Sequence, residues 1–121
     1  MPIPVLIVDD EPDFLLTMTS ALGRKGFDVK TAANSAEAVK LIGSQAFDFA
    51  VVDLKIGEEN GVELVREIKR LRPKIHAVMV TGYPSDETRD AAQQSGADSC
   101  IAKPVALTDL LHAFASAVKP S

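Results

Sequence analysis

Disulfide chemistry is closed to this chain: among its 121 residues Cys100 is the single cysteine, so no internal bridge can form. Long apolar runs are also missing, and no N-terminal stretch is long enough to read as a signal peptide or a membrane span. Basic residues are outnumbered, 13 Lys and Arg against 17 Asp and Glu. The resulting net charge of -4 argues against direct nucleic-acid contact, because phosphate backbones select basic faces. There are no low-complexity tracts or charge blocks to mark a linker, although Lys119-Pro120-Ser121 has the composition of the start of one. What remains is 46% hydrophobic and 25% charged, the balance of one globular domain over residues 1–121 with a modest core. A soluble, reducing, cytoplasmic setting is the expectation by default.

Short apolar runs recur at Val5 to Val8, Phe49 to Val52, Ala77 to Val80 and Cys100 to Ala102, with a weaker strand candidate at Asp28 to Thr31. Between them lie residues at helical spacing: Phe14, Leu15, Met18 and Leu22; Ala38, Val39, Leu41 and Ile42; Val62, Val65, Ile68 and Leu71. A last set comprises Leu107, Leu110, Leu111, Phe114 and Val118. Gly26, Asn34, Pro73 and Gly96 punctuate the helix ends. Strand and helix alternate five times, and apolar strands with little polar alternation imply a parallel sheet covered on both faces by right-handed crossovers. The fold class is therefore α/β, a doubly wound five-stranded parallel sheet with five helices.

Ligands of such sheets sit beyond the carboxyl ends of the strands. Asp9, Asp10 and Glu11 follow the first strand, Asp53 closes the third, Thr81 closes the fourth and Lys103 follows the fifth, so chemistry-capable residues gather on one rim. At ~4 Å and an effective dielectric of about 20, two carboxylates repel by about 4 kcal/mol. A raised pKa or a bound cation relieves that repulsion, and a hard ion such as Mg²⁺ is suited to carboxylate oxygens and water. The plainer reading of Asp9-Asp10-Glu11 is that acids introduce the first helix, where they suit its dipole; Asp53 on another strand weighs against that reading. A carboxylate there can attack a phosphoryl centre to form an acyl phosphate, with the Lys103 ammonium and the Thr81 hydroxyl as neighbours. His76 falls at the opposite rim, His112 flanks the apolar stripe of the last helix, and Cys100 reads as inert core.

LIVDDEP, VVDLKIGEENG, VMVTG and CIAKP, in this order and spacing, resemble the receiver domain of two-component response regulators, over essentially the whole chain. The resemblance implies the flavodoxin-like strand order 2-1-3-4-5 and Asp53 as phosphoacceptor. It implies Mg²⁺ held by Asp10 and Asp53, with Asp9 acting through a metal-bound water and the Lys55 backbone carbonyl as a further ligand. Thr81 and Lys103 would contact the phosphoryl group, and Lys103-Pro104 would be a cis bond. A sensor histidine kinase or phosphotransfer protein would be the donor, its phosphohistidine supplying the group, and the domain would serve as a switch for an output domain or partner. A homodimer through the face of the fourth helix, fifth strand and fifth helix belongs to the same expectations; membrane and direct nucleic-acid partners do not.

Two positions depart from the family pattern. Gly57 stands where many receivers have proline, which predicts a looser loop, and Cys100 stands where an aromatic usually moves with the threonine. A response would then pass through the loops after Asp53 and Thr81, with Tyr83 as candidate reporter, or through the fourth-helix, fifth-strand, fifth-helix face. Two rivals come from other classes. An aspartyl phosphatase of the haloacid dehalogenase type also combines Asp, Thr, Lys and Mg²⁺, but would have D-x-D where this chain has Asp53-Leu54-Lys55. A flavodoxin-like nucleotide or flavin carrier would offer hydroxyls or glycines in its first loop, and DDEPD offers anions.

Overall fold

The computed structural model describes residues 2–118. In chain order the elements are β1 (Ile3–Val8), α1 (Pro12–Gly23), β2 (Phe27–Ala32), α2 (Ser35–Ser44), β3 (Phe49–Asp53), β4 (Lys55–Ile56), β5 (Glu59–Asn60), α3 (Gly61–Leu71), β6 (His76–Thr81), α4 (Asp86–Ser95), β7 (Ser99–Ala102) and α5 (Leu107–Val118). The main sheet runs β2-β1-β3-β6-β7, every neighbouring pair parallel. Counting only its own strands, this is the order 2-1-3-4-5 expected above.

Side chains alternate across a strand, and here both faces are apolar because both are covered. Leu6, Val8, Ala50, Val52, Ala77 and Met79 join α2, α3 and α4 in one buried layer. Val5, Ile7, Phe49, Val51, Val78 and Val80 join α1 and α5 in the other, where Phe49 stacks on Phe114 with ring centroids 4.3 Å apart. β2 is the faint strand in the sequence because it is an edge: it pairs only with β1, and Asp28 and Lys30 are exposed.

Helix ends follow local chemistry. Asn34 and Asn60 cap α2 and α3 by accepting from the backbone N–H groups of Glu37 and Val62. Ser85 and Thr88 form a reciprocal capping box on α4, which ends on Gly96 at φ +102°. Two expectations need correcting. Val118 is 56% exposed rather than part of the buried stripe of α5, because it borders an open cavity beside Ile3 and His76, at the amino ends of their strands. The segment after Asp53 is not loose: β4 and β5 pair antiparallel, Lys55 with Asn60 and Ile56 with Glu59, and Ile56 is fully buried. Gly57, at φ +60°, takes the first central position of the two-residue turn, where a II′ hairpin calls for glycine.

Candidate functional site

Alternation along the strands decides which acids meet. Asp9 continues the face of Val5 and Ile7, Asp53 that of Phe49 and Val51, and Lys103 that of Ile101, so all three point toward the α1 and α5 side of the rim. The ladder runs past the strand ends and fixes this placement: Asp9 N–H donates to Ala32 carbonyl at 3.1 Å, and Lys103 N–H donates to Thr81 carbonyl at 2.8 Å. Asp9, Asp53 and Thr81 are buried, whereas Asp10 is exposed.

Lys103 Nζ spends its three donors on three carboxylates: Asp53 Oδ2 at 2.9 Å, Glu11 Oε1 at 2.8 Å and Asp9 Oδ2 at 3.3 Å. Burial alone would depress the ammonium's pKa, but the hydrogen bonds to Glu11 and Asp53 and the charges of Asp53 and Asp9 hold it above its usual value. Asp9 moves the other way from most paired acids. Burial lifts its pKa to about 6, the Glu11 backbone N–H at 2.9 Å opposes that, Asp53 adds to it, and Lys103 offsets it in part. Thus the repulsion expected from the sequence is shared between one lysine and a reluctant acid. Asp9 Oδ1 also accepts from the N–H of Glu11, the residue just before α1, whose own side chain makes no capping hydrogen bond.

Oxygens of Asp9, Asp10 and Asp53 lie within 4.8 Å of one another. This all-carboxylate set is the hard oxygen donor array that Mg²⁺ or Ca²⁺ takes. A cavity of about 290 Å³ opens over it, lined by residues that include Asp10, Asp53, Lys55, Thr81, Tyr83 and Lys103. A larger cavity, about 720 Å³, lies at the opposite rim beside His76 and holds none of these groups. Thr81 Oγ1 accepts from Tyr83 N–H at 2.9 Å, Tyr83 itself is 71% exposed, and the Lys103-Pro104 bond is cis.

Cys100 is half-buried against the α4 layer; burial pushes its thiol up and nearby Arg89 only partly offsets this, so it is a poor nucleophile. His76 sits at the start of β6 and His112 is exposed on α5, both outside the rim. Sequence reasoning missed two contributors. In the sequence Glu11 is one acid among three and Gly57 a position without proline; in the structure Glu11 binds Lys103, and Gly57 N–H donates to Asp10 Oδ2 at 3.0 Å. The glycines of GEENG were the available signal.

Among curated proteins, the chain is 35% identical over 114 residues to the response regulator protein PilR of Pseudomonas aeruginosa, covering 94% of this chain and 26% of PilR. It is 33% identical over 110 residues to the photosynthetic apparatus regulatory protein RegA of Cereibacter sphaeroides, covering 91% and 60%. The chain thus spans about a quarter of the first relative and three-fifths of the second. A response regulator from Burkholderia pseudomallei, solved with a phosphorylated aspartic acid, calcium ion and citrate, superposes at a TM-score of 0.89 with 36% identity, covering 93% of this chain and 66% of that one. The chemotaxis protein CheY4 of Vibrio cholerae shares the fold at a TM-score of 0.91 and 24% identity, covering 98% of this chain and 100% of that one. The model of the response regulator receiver domain matches residues 5–115, so the strand-end acids, threonine and lysine brought together here are set in a chain that belongs to the receiver domain family of two-component response regulators.

Proposed function

We propose that Asp53 is the phosphoacceptor of a signalling switch and takes its phosphoryl group from the phosphohistidine of a sensor histidine kinase or phosphotransfer protein. The observation that carries this reading is the Asp53 carboxylate, buried at the floor of the rim cavity with Lys103 Nζ 2.9 Å from Oδ2. A carboxylate oxygen of Asp53 attacks phosphorus, the P–N bond to the donor imidazole breaks, and its electron pair stays on the nitrogen. The product is an acyl phosphate. Lys103 can then give a donor to a phosphoryl oxygen by releasing Glu11, the most exposed and hence most easily rehydrated of its three partners.

The donor set suits a divalent cation held by Asp10, Asp53 and the Lys55 carbonyl, with Asp9 acting through a bound water. Bound there, Mg²⁺ would neutralise charge on the phosphoryl oxygens. The Burkholderia pseudomallei response regulator, solved with a phosphorylated aspartic acid and a calcium ion, supports reading this chain as one that takes a phosphoryl group on an aspartate and a divalent cation.

Switching would begin at Thr81. Its hydroxyl oxygen now accepts from Tyr83 N–H, and Tyr83 carbonyl accepts from Thr88 Oγ1 at 3.2 Å, within the capping box of α4. A Thr81 side chain drawn toward a phosphoryl group gives up the first of these bonds and frees the segment that leads into α4. Cys100 borders a cavity of about 330 Å³ lined also by Arg89, Ala92 and Gln93, and its small side chain offers no ring to move with Thr81. The face of α4, β7 and α5 would then present the response to a second copy or to an output domain.

Incubation with a small phosphoramidate and Mg²⁺ tests the assignment. One acid-stable, base-labile phosphate is expected, absent in Asp53→Asn, and labelling that persists in that variant would refute it.

A further inference from the structure

The hairpin after Asp53 is held at more points than a surface turn needs. Ile56 is buried in the α2 to α4 layer. Glu59 Oε1 accepts from Ser35 N–H at 2.9 Å, tying β5 to the first turn of α2 across 24 residues of sequence. Gly61 N–H donates to Leu54 carbonyl at 2.7 Å, closing the base of the hairpin. At its tip, Gly57 N–H donates to Asp10 Oδ2 at 3.0 Å, across 47 residues.

That last contact singles out Asp10. It is the exposed member of the three-carboxylate cluster, and an exposed acid is free to rotate its carboxyl group away from its neighbours. A carboxylate has two oxygens and about four lone-pair sites, so one N–H can fix its orientation and leave capacity for a cation. We infer that Gly57 is a positioning residue for the cation: its N–H, aimed by the anchored hairpin, holds the Asp10 carboxylate toward Asp9 and Asp53 before any ion arrives. The inference rests on reading Asp10 as a cation ligand. Two properties of glycine serve this role together. It adopts φ +60° without a Cβ penalty and it keeps a donor, whereas proline there would have φ fixed near -65° and no N–H.

The test pairs Mg²⁺ titration, without phosphodonor, with the Gly57 amide signal in ¹H–¹⁵N NMR. Gly57→Pro is expected to weaken Mg²⁺ binding roughly 10-fold, as loss of an outer partner of a metal ligand does. Gly57→Asn keeps the N–H, and asparagine is the L residue that best tolerates positive φ, although this turn position still strains it; it is expected to lose clearly less affinity than Gly57→Pro. In the metal-free protein, Asp10→Ala is expected to move the Gly57 amide proton upfield, a signature that a merely structural turn would not give. The inference is overturned if that proton does not move, if Gly57→Pro binds like the wild type, or if both glycine variants lose affinity equally, since the turn rather than its N–H would then set it. Wild-type protein that binds no Mg²⁺ at millimolar concentration would overturn the cation site itself and this inference with it.

Discussion

One ammonium facing three carboxylates makes Lys103 the residue on which the resting site depends. Removing it leaves buried Asp9 and Asp53 without their shared donor, and a buried charged group that loses its partner costs about 1–3 kcal/mol or more. Lys103→Ala is therefore expected to fold but to lose about 2 kcal/mol in chelated buffer, read as a lower urea midpoint. Millimolar Mg²⁺ should restore part of the loss, because a cation can replace the missing charge. Lys103→Arg should recover less than full phosphorylation, since a planar fork cannot aim donors at three acids around one nitrogen. An alanine variant as stable as the wild type in chelator would remove Lys103 from this role.

At the scale of the element, the hairpin β4–β5 carries a constraint at each end. A Cβ on Gly61 would run into the Asp53 carbonyl oxygen and sit 3.0 Å from Leu54 Cα, both backbone atoms that cannot swing aside. Gly61→Ala is expected to cost about 3 kcal/mol, the upper end for overpacking, and to slow Asp53 labelling because the displaced backbone is that of Asp53, the proposed phosphoacceptor. Unfolding curves and phosphoramidate labelling read the two effects separately. Wild-type labelling in this variant would show that β3 tolerates the shift. The sequence pointed to looseness here because Gly57, Glu58, Glu59 and Asn60 are turn formers by composition. Their order comes from partners elsewhere, chiefly Ser35, Asp10 and the layer around Ile56.

For the molecule as a whole, the rim couples stability to pH. With the Asp9 pKa raised from 3.8 to about 6, the native state holds a proton between those values that the unfolded chain does not. Metal-free protein should therefore gain stability from this acid as pH falls from about 6 toward 4, and lose that gain as pH rises. Lys103 acts at the other extreme: its pKa is raised, so its stabilisation is complete below the unfolded value of 10.5 and fades as pH climbs beyond it. Thermal melts in chelator from pH 4.5 to 8 compare wild type with Asp9→Asn, in which the acid-side gain should flatten. Parallel profiles would mean that Asp9 does not carry the proton. Mg²⁺ should stabilise more at pH 7.5 than at pH 5, because protons and the cation compete for the same carboxylates.

By itself the sequence determined the alternation of strands and helices, the helix boundaries at Asn34 and Gly96, and the gathering of Asp9, Asp10, Asp53, Thr81 and Lys103 on one rim. Those properties are local: apolar periodicity, capping chemistry and the rule that strand ends of a parallel sheet share an edge all act within a few residues or follow from topology. Tertiary structure alone decided that Lys103 is bound to Glu11 as well as to Asp9 and Asp53, that Gly57 N–H meets Asp10, that Glu59 reaches Ser35, and that Val118 stays exposed. Each depends on the distance between groups far apart in the chain. Side chains on neighbouring strand ends meet or miss according to sheet twist and hairpin geometry, which no run of residues encodes on its own.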